Sequence, residues 1–431
     1  MPVRQVMGSR MPQRDPTSAR FGAGPGEFIA LMAMTMALQA MCIDAMLPAL
    51  GQIAEELHVA DPNSRQLVVG VFLFAAGIGS LVPGALADRY GRRPVLFGCF
   101  AGYIILSLVC ALVQNFTALL TARVLQALFS AGLAVLPAAI IRDRFSGDAM
   151  AKMMSTISVV FMIVPMLAPT FGQAVLLVAS WRWIFGGMAV MAMVVGTWVY
   201  LRLPETLHPE YRQPIEPRAI ARNMWGAASN RAAMGYVLGG ALLIGGLFGY
   251  INSAQQLIGE HFGAGDKFPL MFAIMAGGIA LANLTNSRIV ERFGARRVSH
   301  TALLVFIAVG AGQVWLSHQP HETLGQFIPL MTLNCAMIGF TGANFSSIAL
   351  QPFARIAGAA SSLQAFLRMA LGSALGAFVG QAYDGTARPL SWALLGCGLA
   401  ALGLVLYSEN GRLFRRLTPP GAARPVPDPR H

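Results

Sequence analysis

The stretch GALADRYGRRP, residues 84–94, returns as SRIVERFGARR at residues 287–297. Asp88, Arg89, Tyr90 and Gly91 match Glu291, Arg292, Phe293 and Gly294 at a constant offset of 203. Each copy sets an acid and several arginines in a short turn between long apolar runs. Such internal symmetry points to a duplicated unit, and charged turns between apolar runs point to a bilayer as its solvent.

Composition says the same. The chain has 431 residues, 55% hydrophobic and only 12% charged, against about 25% charged in an ordinary soluble domain. Twelve mostly apolar stretches run at 28–50, 66–87, 94–114, 117–141, 151–179, 181–203, 232–258, 268–290, 298–317, 324–349, 360–383 and 389–409, called spans 1 to 12 below. Each suits a membrane helix, which needs about 20 such residues. A β-barrel would need short alternating segments, and FGGMAVMAMVVGTWVYL (185–201) does not alternate. The expected fold is all-α, with twelve transmembrane helices in two pseudo-symmetric six-helix bundles. Residues 1–27 read as a disordered cytoplasmic tail, 28–203 as the first bundle, 204–231 as a cytoplasmic linker, 232–409 as the second bundle and 410–431 as a second tail. The first run is too long for a signal-peptide core and lacks a small-residue cleavage site, so it reads as a retained helix.

The net charge of +12 is distributed by topology. With both termini placed in the cytoplasm, 25 of the 31 Lys and Arg residues fall on that side and four (Arg65, Arg182, Lys267, Arg388) on the other, while Arg123 and Arg368 lie inside spans. That asymmetry is the positive-inside pattern. A nucleic-acid partner would require one continuous basic surface instead. The five cysteines all lie in spans and show neither metal nor disulfide spacing.

Within the repeated turn, Ala76, Ser80 and Gly84 offer a small-residue face for helix approach. Asp88 at the water boundary can complement a helix N-terminus, giving a conformational latch of Gly84, Asp88, Arg89, Gly91 and Arg92, with Glu291 and Arg292 in the second copy. Plain topology anchoring is the other reading of these arginines. GALADRYGRRPVL resembles the signature loop of the major facilitator superfamily. CIDAMLPAL (42–50), RVLQALFSAG (123–132), IIRDRF (140–145), VPMLAPTFG (164–172), SWRWIF (180–185), LPET (203–206) and AGAASSL (357–363) resemble its bacterial Bcr/CflA drug-resistance branch. The resemblance implies twelve helices, alternating access and proton-driven efflux across the bacterial inner membrane. It likens Pro165, Pro169 and Gly172 of span 5 to a motif associated with antiporters. Ala127 and Phe129 stand where the fourth-helix motif usually has glycine, and Ser287 and Ala295 replace Gly84 and Arg92 in the second turn.

An ionisable residue inside a span is a functional candidate by default. Asp44 lies about six residues before the outer end of span 1, and Arg123 about six after the outer start of span 4. At about 1.5 Å per residue both sit about 9 Å deep, which permits an ion pair. The family's arrangement, with spans 1, 4, 7 and 10 around a central cavity, supplies the neighbourhood. The expectation is a proton-carrying Asp44 tuned by Arg123, with a fixed structural pair as the alternative. The 203 offset sets Leu247 and Gln326 opposite them, which concentrates coupling in the first half. Gln126 shares the Arg123 face and, with Asn252, Asn334, Asn344 and Arg368, is expected at the substrate cavity. The asparagines can instead join helices. Arg368, about eight residues into span 11, either snorkels to water or attracts an anionic part of the cargo, and Gly372, Gly376 and Gly380 mark a close-packing face.

The 23 methionines gather in spans 1, 5 and 6, most densely in ALMAMTMALQAM (30–41). They suit core filling, an adaptable pocket or, as a sharper alternative, Cu(I). No nucleophile–base pair, phosphate loop or metal spacing stands out, so no enzyme is expected. No cofactor is expected either; an ion gradient supplies the energy. The resulting expectation is a monomeric, proton-coupled exporter of small amphipathic molecules, drugs or toxic metabolites, with lipid and protons as its other partners. A nutrient or siderophore-like importer and a non-transporting sensor are the alternatives.

Overall fold

The computed structural model describes residues 24–145, 147–207, 210, 212, 217–353 and 357–415. Most of both expected tails, 1–23 and 416–431, lies outside them. The described chain is helical: α1 (Pro25–Asp44), α2 (Leu50–Glu56), α3 (Leu67–Gly79), α4 (Val82–Tyr90), α5 (Arg92–Leu112), α6 (Phe116–Arg144), α7 (Gly147–Leu176), α8 (Arg182–Arg202), α9 (Pro217–Ala228), α10 (Arg231–Gln255), α11 (Phe268–Phe293), α12 (Ala295–Ser317), α13 (Leu324–Leu350), α14 (Ala357–Gln381) and α15 (Arg388–Ser408). Among the described residues, ten helical segments are long and apolar enough to cross a membrane, and α3 with α4 forms an eleventh, bent one. The remaining long helix, α7, carries the apolar segment Ile163–Leu176.

α1 packs on α6, α7 and α8, and α5 on α6 and α8; α10 packs on α13, α14 and α15, and α12 on α13 and α15. Two sets of helices result, meeting along α3–α14 and α7–α11. Small residues set these seams. A Cβ on Gly77 would press on Met369 and Ala370, and one on Gly70 on Ala377. Gly372 and Gly376 lie against α10 instead, and Gly380 against Gln66 and Asn252. At Gly84 a Cβ would meet nothing, so close packing is not what selects glycine there.

Two expected spans are interrupted. α3 and α4 meet at 41°, where Pro83 lacks an N–H and its ring crowds the carbonyl four residues back, at Gly79. Span 1 is interrupted more mildly: it stays one segment, Gly26–Glu56, but α1 ends at Asp44, and a short 3₁₀ turn, Leu47–Ala49, leads into α2. Pro48 is again four residues past the break. The linker, expected to be loop, contains α9, which packs on α10 and α14.

The repeated turn owes its shape to glycine. Gly91 has φ +105° and Gly294 φ +87°, a region that side-chain-bearing residues avoid. Glu205 of LPET occupies the space beside Gly91. Its carboxylate accepts the backbone N–H groups of Arg92 (2.9 Å) and Arg93 (3.0 Å), and it also accepts those of Thr206 and Leu207. It thereby caps α5, complementing the positive end of the helix. The second half has an acid at the matching place, Glu409, which accepts from Arg296 Nε (2.6 Å) and Tyr236 Oη (2.7 Å). Partial burial opposes its charge, but those two donors outweigh it and hold the carboxyl below the usual range. Glu205→Ala is expected to destabilise the protein by about 1–2 kcal/mol, read as a lower Tm in detergent; an unchanged Tm would show the cap to be idle.

Candidate functional site: a cavity between the helical sets

Asp44 ends α1, at the break that Pro48 imposes. Irregular backbone at membrane depth is tolerated where protein buries it or it lines a cavity, and both apply here. A Cβ on Gly172 of α7 would collide with the Ala45 carbonyl, so that glycine admits the broken segment. Pro169, one turn earlier, is buried, and Pro165, a turn before that, reaches the cavity.

The cavity has a volume of about 310 Å3. Asp44 and Pro165 face it from the first half, and Phe248, Tyr250, Phe272 and Met275 from the second. Asp44 is 4% exposed. Its Oδ1 has no hydrogen-bond partner, nor has the Tyr250 hydroxyl across the same space. Two unsatisfied polar groups on opposite walls of an apolar chamber make it the candidate binding site. The methionines that line it, Met275 and Met369, come from spans 8 and 11, while Met32, Met41 and Met46 of the dense run and its flank are buried in the core.

Arg123 does not meet Asp44 in an ion pair. It is fully buried, and its Nη2 donates to Cys42 O (2.9 Å), Nε to Val68 O (3.2 Å) and Nη1 to Gln126 Oε1 (2.7 Å). The Phe72 ring lies 4.1 Å from its guanidinium carbon. Depth brought the two residues level, but azimuth parts them. The Cys42 side chain points into the first half, at Tyr103 and Met188; Asp44, two residues on, is about 200° further round the helix and faces the second.

The other expected cavity groups divide. Gln126 belongs to the Arg123 network and donates to Ser107 Oγ at 2.7 Å. Asn334 donates to Gln313 (2.5 Å) and Asn344 to Asn286 (2.8 Å), as ties between spans. Asn252 donates to Phe248 O and lies at the α3–α14 seam beside Gly70 and Gly380. Arg368 sits in a separate cleft with Tyr236, Ser346 and Gln364.

At the repeated turn, Asp88 pairs with Arg92 at 2.5 Å, and Arg92 with Asp143 at 2.8 Å. All three residues lie in the first half. Arg89 is exposed, 5.3 Å from the Tyr90 ring. The side chain of Glu291 lies outside the described residues, and Arg292 lies 5.5 Å from the Phe293 ring.

Sequence reading missed a polar clasp that joins the halves at the end opposite these arginine-rich turns. Arg65 pairs with Glu260, and Gln66 Nε2 donates to Gln256. Asn63 donates to the Gln381 and Tyr383 carbonyls (3.1 and 2.8 Å), and Gln256 donates back to Asn63 (3.0 Å). They lie at the outer ends of spans 2, 7 and 11 or in the connections beside them, and no local pattern announces their pairing.

Residues 29–377 match the family model described as Major Facilitator Superfamily. The bicyclomycin resistance protein homolog of Haemophilus influenzae is 30% identical over 86% of this chain and 93% of its own. The multidrug resistance protein MdtL of Shigella dysenteriae is 29% identical over 86% and 92%. Among solved structures, a bacterial homolog of the human lysosomal transporter Spinster, in an inward-facing and occupied conformation, matches with a TM-score of 0.67 at 15% identity, covering 90% of this chain and 97% of its own.

Proposed function

The chain belongs to the Major Facilitator Superfamily, and from that membership we propose that it exports small amphipathic compounds, drugs or toxic metabolites, across the bacterial inner membrane in exchange for protons. The relatives named for drug resistance support the direction and the cargo class. The arginine-rich turns support cytoplasmic termini by the positive-inside pattern. The clasp between Asn63, Arg65, Gln66, Gln256 and Glu260 then closes the outer side.

The observation that carries the reading is Asp44 with its unpartnered oxygen in an apolar chamber. A bare carboxylate there is costly, and the reading makes Asp44 the proton-carrying acid. Opening the clasp and hydrating the chamber lets the proton leave. Arg123 donates to the carbonyl of Cys42, two residues before Asp44 in the chain, and can turn from that carbonyl to the anion. Cargo and proton thus compete for one chamber as the halves rock, and each state is favoured by the ligand it binds better. In the opposite state Asp88, freed from Arg92, latches the cytoplasmic side.

The test is a pH-gradient assay in inverted vesicles holding the full chain, against a panel of amphipathic compounds. Substrate-evoked proton efflux from the acidified lumen is expected; silence across the panel with folded protein would refute the exchange.

A further inference from the structure

Arg368 has no task in this exchange. Its helix runs Ala357–Gln381, which puts it at mid-helix, about 16 Å from the first residue. Snorkelling serves residues near helix ends. Among the described residues the guanidinium has no hydrogen bond and no ion pair.

Its neighbours are already engaged. Tyr236 donates to Glu409, Thr341 to the Met337 carbonyl (3.0 Å) and Gln364 to Ser346 Oγ (2.6 Å). The nearest acid in that network, Glu409, is held by Arg296. The cleft therefore presents a cation with no counter-charge among the described residues. It leaves about 10 Å3 free, room for one water, so a ligand group must sit at its mouth. The cleft and the chamber follow one another along the same two helices: Ile244 and Arg368 border the cleft, while Leu247, a turn on, and Met369, the next residue, border the chamber.

We infer that Arg368 is an anion subsite of the cargo chamber, taking the carboxylate or sulfonate of an organic acid whose apolar body lies against Phe248 and Met369. The inference rests on the chamber being the cargo site. A guanidinium presents two parallel N–H groups that match such an oxyanion, and a cargo acid satisfies both the charge and the unused donors. The cargo range then includes acids as well as neutral amphiphiles.

Isothermal titration of the purified full chain tests this with 1-naphthalenesulfonate and the neutral naphthalene-1-sulfonamide, which share one body. The sulfonate is expected to bind at least about tenfold more tightly. Arg368→Gln is expected to remove that difference and leave the sulfonamide unchanged. Arg368→Lys, which keeps the charge but not the fork, is expected to retain part of it, and it carries the test if the Gln variant does not fold. A wild type that binds both compounds alike, or neither, overturns the subsite. So does a variant that weakens both in parallel, the mark of a structural role. Binding needs no gradient, so this result stands apart from the vesicle assay. Proton exchange evoked by neutral compounds alone would leave the transport reading intact while the subsite fell.

Discussion

Asp44→Asn is expected to leave the protein folded and to erase substrate-evoked proton movement. The amide has nearly the shape of the carboxyl group it replaces. With no ion pair lost, the change in folding stability should stay small, about 1 kcal/mol. What disappears is the ability to let a proton go. Binding of neutral amphiphiles should persist, because Phe248, Phe272 and Met275 still line the chamber. Titration calorimetry for binding and the inverted-vesicle assay for coupling separate the two effects. If Asp44→Asn still moved protons with cargo, the carrier would be another group. A collapse in Tm together with lost transport would mean that the acid is architectural.

Much of this fold could be read from the chain because a bilayer leaves few options. Lipid offers no hydrogen-bond partner, so each apolar run of about 20 residues must close its own backbone bonds as a helix. The repeated glycine was legible for a similar reason. Gly91 and Gly294 share a positive φ that sterics reserve for glycine, so the offset of 203 records a backbone shape as well as a sequence.

The helix breaks were legible in principle and went unread. Pro48 and Pro83 stand four residues after Asp44 and Gly79, where the helices end, and the proline rule places a break there. Pairing over long range was another matter. LPET and GRRP both stood out, but linear order does not say that Glu205 caps the helix beginning at Arg92. Equal depth suggested an ion pair for Asp44 and Arg123. Depth is one coordinate of three, and the helical phase of Cys42 and Asp44 supplied the missing one. Polar residues in spans proved ambiguous in the same way: Asn334 and Asn344 each donate to a neighbouring span, although Asn334 Oδ1 is itself unpaired, whereas Asp44 Oδ1 and the Tyr250 hydroxyl are unpaired on the walls of a chamber. Composition cannot distinguish a tie from a candidate site; unfilled hydrogen-bond capacity facing a cavity does.

Arg123→Lys should have the second large effect, and it separates a structural anchor from an electrostatic one. The guanidinium reaches three acceptors on three spans at once: the Cys42 and Val68 carbonyls and the Gln126 side chain. A lysine ammonium carries the same charge at one point and cannot span that fork. Each buried acceptor left unpaired costs about 1–3 kcal/mol, so losing two should lower stability by about 2–6 kcal/mol, visible as a marked fall in Tm. Coupling should suffer as well, because the cation would no longer rest two residues from Asp44 on the segment that must release it. If Arg123→Lys matched the wild type in Tm and in proton exchange, charge alone would suffice and the three-way tie would be incidental. If Tm fell while exchange per folded molecule held, Arg123 would be a strut and Asp44 would work unaided. A loss of exchange beyond the loss of folded protein is what a guanidinium alternating between carbonyl and carboxylate requires.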